Sequence, residues 1–171
     1  MFEAIGAGRE VGLTLYTDSY IIRGTTLTRQ RRVSDILNTA EHDFVVLEGV
    51  SLEDLGTRVE SSRAAFAQVN LGAVLFAVAA EPIEPMPELR TPKLAERALI
   101  SIPPFQVAGW IHLMPERNLR DALTELTGRF IPVTDAVFWS DARGEPRQTA
   151  AMVAVNHARA HILAPFDGPG G

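Results

Sequence analysis

One stretch of this sequence recurs in pattern, and the recurrence narrows the possible fold more than any other feature. Phe105 to Val137 reads as an extended run FQVAGWIHL, a break MPERN, a short helical LRDALTEL, a turn TGR and then FIPVTDAV. Tyr20 to Ser51 reads YIIRGTTLT, RQRR, VSDILNTA, EHD and FVVLEGVS in the same order. Laid over each other, Gly24 meets Gly109. With one residue inserted in the second copy, Arg31 meets Arg117, Asp35 meets Asp121, Leu37 meets Leu123 and Phe44 meets Phe130. Val69-Asn70 then falls on Val155-Asn156 in the same register. Identity is low, but the hydrophobic pattern and the order of breaks agree.

The local signals divide each copy into short elements. LTLYT (13–17) alternates as a strand does, Asp18-Ser19 is a turn signal, and YIIRGTTLT should return as its hairpin partner. Gly24 within that strand, with Gly109 at the matching place, points to a shared bulge or close backbone approach. VSDILNT (33–39) puts Val33, Ile36 and Leu37 on one helical face. In the second copy Asn118 is a good N-cap, Asp121 lies three residues later, and Gly128 is a helix stop. FVVLEGVSL (44–52) is β-prone, and 52–62 is polar, a loop or a hairpin tip. AAFAQVN (64–70) and GAVLFAVAA (72–80) read as strands joined by a one-turn 3₁₀ element, with an Ala-rich helix as the competing assignment. AMVAVN (151–156) and AHILAP (160–165) match them. EPIEPMPELRTP (81–92) holds four prolines in twelve residues and reads as an extended linker. The expected organisation is a first unit over 1–80, a linker over 81–96 and a second unit over 97–171, opening with the strand RALISI and the turn Pro103-Pro104 and ending in the tail FDGPGG.

Each unit is then strand, strand, short helix, strand, strand, strand: a mostly β chain with short helices, α+β in class. By fold analogy this resembles two tandem SH3-like or Sm-like small barrels, related by a pseudo-two-fold and sharing an apolar interface. RVSDILN (32–38) with FVVLEGV (44–50), and FIPVTDA (130–136) with the later Val155-Asn156, also resemble a pattern of uncharacterised bacterial proteins that reads R-L-S-D-x-L-N, F-[IL]-x-L-T-D-A and V-N. The chain departs from it at Leu119-Arg120-Asp121-Ala122, which lacks the Ser, and at Glu48-Gly49, which replaces Thr-Asp. The resemblance implies no activity. The expected core is Ile22, Val33, Leu37, Phe44, Val46, Val74 and Phe76, with Val107, Ile111, Leu119, Leu123, Phe130, Val153 and Ile162.

Composition bounds the chemistry. There is no cysteine, which excludes disulfides, thiolate catalysis and Cys-ligated zinc. Sixteen basic against 21 acidic residues leave a net charge of −5, and neither half is basic, which argues against broad phosphate-backbone binding. Lys93 is the only lysine; the other basic residues are Arg, a bias expected of a GC-rich genome and also suited to planar contacts at interfaces. The start MFEAIGAGRE is unlike a signal peptide, and the apolar run 71–80 is too short to span a bilayer, so a soluble cytoplasmic protein is expected.

Few residues carry a chemical signal. His157 and His161 lie four apart and His112 follows Trp110 in a strand, but the first copy has Leu71 and Leu75 at the positions of His157 and His161, and surface or packed histidine is preferred to a metal site. Asp35 and Asp121 recur, which helix capping explains without acid–base work. Arg29, Arg31 and Arg32 form the one dense basic patch, with Arg117 matching Arg31; they either bind an anion, RNA or an acidic partner, or pair with Asp35 and Asp121. Trp110 and Trp139 give the second copy the larger aromatic surface, either for a partner or to fill the contact between the units. The expectation is a non-catalytic interaction or regulatory module, with a protein partner or a second copy of itself, no cofactor, no metal and no membrane. The alternative is an Sm-like RNA or anion binder using the Arg29–Arg32 loop; an enzyme comes third.

Overall fold

The computed structural model describes residues 8–30, 32–40, 42–80, 94–113, 120–121, 128–140 and 146–166. Ten strands form one open antiparallel sheet: β1 (Arg9–Tyr16), β2 (Tyr20–Thr28), β3 (Phe44–Asp54), β4 (Glu60–Asn70), β5 (Phe76–Ala79), β6 (Leu94–Ile102), β7 (Phe105–Leu113), β8 (Phe130–Ser140), β9 (Gln148–Asn156) and β10 (Ile162–Pro165). One short helix, α1 (Val33–Asn38), follows β2, and 3₁₀ turns Leu71–Ala73 and His157–Arg159 precede β5 and β10. Of the second expected helix only Arg120 and Asp121 are described, both helical. Among the described residues no helix is long and apolar enough to cross a membrane.

The strand order is β10-β6-β7-β8-β9-β5-β1-β2-β3-β4. The expectation of two closed barrels in an α+β chain is therefore wrong. The fifth strand of the first half does not turn back onto its own fourth strand, β4. It pairs with β9, the fourth strand of the second half, through Phe76↔Val155, Ala77↔Ala154 and Val78↔Val153. The pseudo-two-fold fails for the same reason, since a two-fold would join like edges and this joint unites unlike ones. The two halves run head to tail. Residues 94–96, expected as linker, already belong to β6; the Pro-rich stretch 81–92 lies outside the described residues.

Pairing within one half recurs in the other. Tyr16↔Ile21 has its counterpart in Ser101↔Gln106, Ile22↔Leu52 in Val107↔Phe138, and Phe44↔Asn70 in Phe130↔Asn156. The ladder slips at the same place in each, between Arg23 and Thr25 and between Ala108 and Trp110. The glycine at each slip is forced by crowding: a Cβ on Gly24 would sit 2.9 Å from the Leu47 Cβ, and one on Gly109 would sit 2.6 Å from Val133 Cγ1 and 2.9 Å from the Thr134 carbonyl oxygen. Val133 is fully buried, so it has nowhere to retreat. Gly109→Ala should cost about 1–3 kcal/mol through overpacking, read as a shift of the urea midpoint.

Two apolar clusters make the core. One gathers Leu13, Leu15, Val33, Leu37, Leu47, Val74 and Ala77 with Phe130 and Ala154. The other gathers Ile100, Val107, Ile131, Phe138, Val153 and Val155 with Tyr16, Leu75 and Phe76. Successive side chains of a strand point to opposite faces. Phe76 and Ala77 belong to different clusters, as do Val153 and Ala154, so the clusters lie on opposite faces of β5 and β9. This explains why LFAVA and MVAV read as unbroken apolar runs: both faces of the joint are covered. Ile22, Val33, Leu37, Val74, Phe76, Val107, Ile111, Phe130 and Val153 are buried as expected. Phe44 is only half-buried, Val46 is 43% exposed and Ile162 is 61% exposed. Leu119 and Leu123 lie outside the described residues.

Candidate interaction surface

The two outer strands of the sheet differ sharply from the inner ones. β4 pairs with β3 on one side and with no strand of the described residues on the other. Every residue from Glu60 to Phe66 is exposed. Phe66 is 66% exposed, a large apolar side chain on an open edge. An Arg63–Glu60 ion pair guards one end, at 2.7 Å, and the run Ala64-Ala65-Phe66-Ala67 beyond it carries no charge. Beside this strand lies an open depression of about 490 Å³, lined by Gly49, Val50, Ser51, Arg63, Ala64 and Ala65. Gly49 there has φ of +59°, and Asp135 holds the matching place in β8 with φ of +47°. At the far end of the sheet, β10 pairs with β6 and has no strand of the described residues on its other side.

Backbone polarity on these edges follows from the ladder. Leu71 N–H donates to the Asp43 carbonyl, so alternate donors of β4, Val69 among them, turn toward β3 and those of Gln68 and Asn70 turn outward. Phe166 N–H donates to the Arg97 carbonyl, so Ala164 turns toward β6 and Leu163 turns outward. Pro165 has no N–H and falls on the outward side.

The internal joint shows what covers such an edge when a neighbour is present. Phe76 is fully buried there, stacked on Tyr16 at 4.4 Å and edge-on to Phe105 and Phe138. Asn156 is 1% exposed. Its N–H donates to the Leu75 carbonyl at 2.9 Å, and its Nδ2 donates to the Leu71 and Val74 carbonyls at 3.3 and 3.0 Å. α1 packs on β8 and β9, where Asn38 Nδ2 donates to the Phe130 carbonyl at 2.7 Å and Phe130 N–H donates to Asn38 Oδ1 at 2.8 Å. Arg129 reaches Asp43 at 3.0 Å.

The residues singled out from sequence do not converge. Arg29 is exposed. Arg32 is held by Asp35 in a two-point contact at 2.8 and 3.1 Å. Arg31 and Arg117 lie outside the described residues. Trp110 on β7 is 37% exposed. Trp139 on β8 lies beneath Arg147, whose guanidinium is 4.2 Å from the ring centre. Neither tryptophan belongs to either core cluster, and the aromatic contact between the halves is made by Tyr16 and Phe76 against Phe105 and Phe138, with Phe130 in the other cluster. His157 Nε2 lies 2.9 Å from the Gly128 carbonyl and His112 Nε2 lies 2.7 Å from Thr134 Oγ1. Among the described residues no three His, Asp or Glu side chains gather as metal ligands. Phe66 was missed from sequence because AAFAQVN has the composition of a core strand. The signal available was Glu60-Ser61-Ser62-Arg63, four polar residues opening that same strand.

Glu53 at the β3 tip is desolvated, which by itself raises its pKa, but hydrogen bonds and charge from Arg58 and Arg23 together outweigh this and hold it below the usual value. Arg23 lies at 2.8 Å; Arg58 closes the other side. A depressed folded-state pKa contributes stability that is present above the unfolded pKa, about 4.3, and is lost as pH falls through the folded value. Glu53→Gln should therefore flatten the acid limb of stability measured from neutral pH downward. An unchanged acid limb would count against this triad.

Comparison with protein-family models, curated proteins and solved structures finds no match.

Proposed function

We propose that this chain is a non-catalytic interaction module and that its binding surface is the outer edge of β4. The observation that carries this is the run Ala64-Ala65-Phe66-Ala67, an uncharged apolar segment on a strand with no second strand neighbour among the described residues, with Phe66 66% exposed. Open strand edges template pairing with other chains, and proteins ordinarily blunt them with charge, proline or a cover. Here the ion pair protects the Glu60 end alone. An extended partner strand laid on β4 would satisfy the outward backbone groups, while the neighbouring depression would receive its side chains.

A photo-crosslinking residue in place of Phe66, in the cells that make the protein, tests this. Discrete protein adducts at that position, lost when Gln68→Pro removes an outward donor, are expected. Their absence would remove β4 as the site. In the nucleic-acid alternative, Arg32 would have to exchange its pair with Asp35 for phosphate. Salt-sensitive binding of single-stranded RNA, weakened by Arg31→Ala with Arg32→Ala, would replace the present reading.

A further inference from the structure

We propose that the strand taken up by β4 is β10 of a second copy of this chain, so that copies associate head to tail through a repeat of the β5–β9 joint. This rests on β4 being a binding edge and names its partner. The sheet order is one five-strand order written twice, β10-β6-β7-β8-β9 followed by β5-β1-β2-β3-β4. Its two open edges are therefore the same pair of unlike edges that already meet inside the molecule.

Strand register agrees with the topology. Position for position in the ladders, Val69, Gln68 and Ala67 correspond to Val155, Ala154 and Val153. Ile162, Leu163 and Ala164 correspond to Phe76, Ala77 and Val78. The internal joint thus dictates the external one: Ile162 against Val69, Leu163 against Gln68, Ala164 against Ala67. The outward donors fall where this register needs them, at Leu163 and Gln68. Pro165 corresponds to Ala79, which pairs with β1 but lies beyond the three-residue ladder to β9. Its missing N–H therefore costs the assembly nothing. Asn70, exposed at the end of β4, occupies the place of the buried Asn156 and would reach the turn before the incoming β10. Ile162 is 61% exposed whereas its counterpart Phe76 is fully buried, and Phe44 is half-buried whereas its counterpart Phe130 is 1% exposed. These are the burials a neighbouring copy would complete. Joining unlike edges does not use them up in a pair. It closes into a ring or runs on as a filament according to the rotation per copy.

The test is the mass of the purified full-length chain in solution as concentration rises, by light scattering and sedimentation. The wild type should assemble beyond the single chain. Ile162→Arg, which spoils β10, and Gln68→Pro, which spoils β4, should each remain single chains with unchanged melting. Mixed in equal amounts they should form a species of two chains and nothing larger, because each retains one good edge of opposite kind. In the wild type, amide exchange at 67–70 and 162–164 should slow as concentration rises, a readout that needs no substitution. A wild type that stays monomeric with concentration-independent exchange overturns the proposal, as does Ile162→Arg pairing with itself, which would mean like edges meet. If the crosslinker at position 66 captures another protein while the wild type stays monomeric, β4 stands as a binding edge and the second copy is excluded. If neither adduct nor assembly is found, both fall.

Discussion

Replacing Phe130 with Ala is expected to lower the stability of the protein by about 3–5 kcal/mol, the range for truncating a fully buried aromatic side chain. Phe130 begins β8, is 1% exposed and lies in the cluster built mainly from the other half of the chain. The substitution therefore opens a cavity in one half and loosens the joint to the other. Its counterpart Phe44 begins β3 at the matching ladder position but is half-buried, stacked on His42 at 5.2 Å. Phe44→Ala should lose no more than about half as much, since the wall that encloses Phe130 is missing on that side. Urea titration of both variants decides it. Equal losses would mean that Phe44 is covered too.

Asn156→Ala should cost about 1–3 kcal/mol, although it removes only a small side chain. Its Nδ2 is the donor to the Leu71 and Val74 carbonyls in the turn that leads into β5. Removing it takes from the Val74 carbonyl its donor, while the Leu71 carbonyl keeps the Val74 N–H at 3.2 Å; an unsatisfied buried group costs about 1–3 kcal/mol. Asn70, its counterpart, is exposed and accepts from Gly72 N–H at 2.9 Å. Asn70→Ala should stay below about 1 kcal/mol in the single chain. A loss at Asn156 no larger than that at Asn70 would show that the Val74 carbonyl finds another donor.

Local structure was readable where a residue type had one physical use. Gly24 and Gly109 announced their bends because no side chain fits there. The 3₁₀ turn after Asn70 and the strands on either side of it followed from a break in an apolar run. Phase was harder. In FVVL the inward residues are Val45 and Leu47, whereas Phe44 and Val46 look equally suited to the core. Closure was not readable at all. A strand such as FAVA satisfies its second edge equally well on β4, which would make a barrel, or on β9, which makes an open sheet. That choice is made by residues some eighty positions away and leaves no mark on β5 itself. The binding edge was obscured for the same reason. An apolar strand that awaits a partner has the same composition as one that has found it.

The β5–β9 joint also sets an order in time. Residues 9–79 contain β1 to β5 and most of one core cluster, so this half can collapse as soon as it leaves the ribosome. Its β5 then carries a bare edge until Val153–Val155 have been made. At 5–20 residues per second the delay is about 4–16 s, far longer than a hairpin needs to form. During that interval β9 of any finished neighbour competes with the chain's own β9 for the same three-residue ladder. Dilution favours the chain's own strand, and crowded synthesis on one message favours exchange. The seam that holds the halves together is thus also the place where two nascent chains become entangled, and refolding yield should fall with concentration more steeply than the size of the chain alone would require.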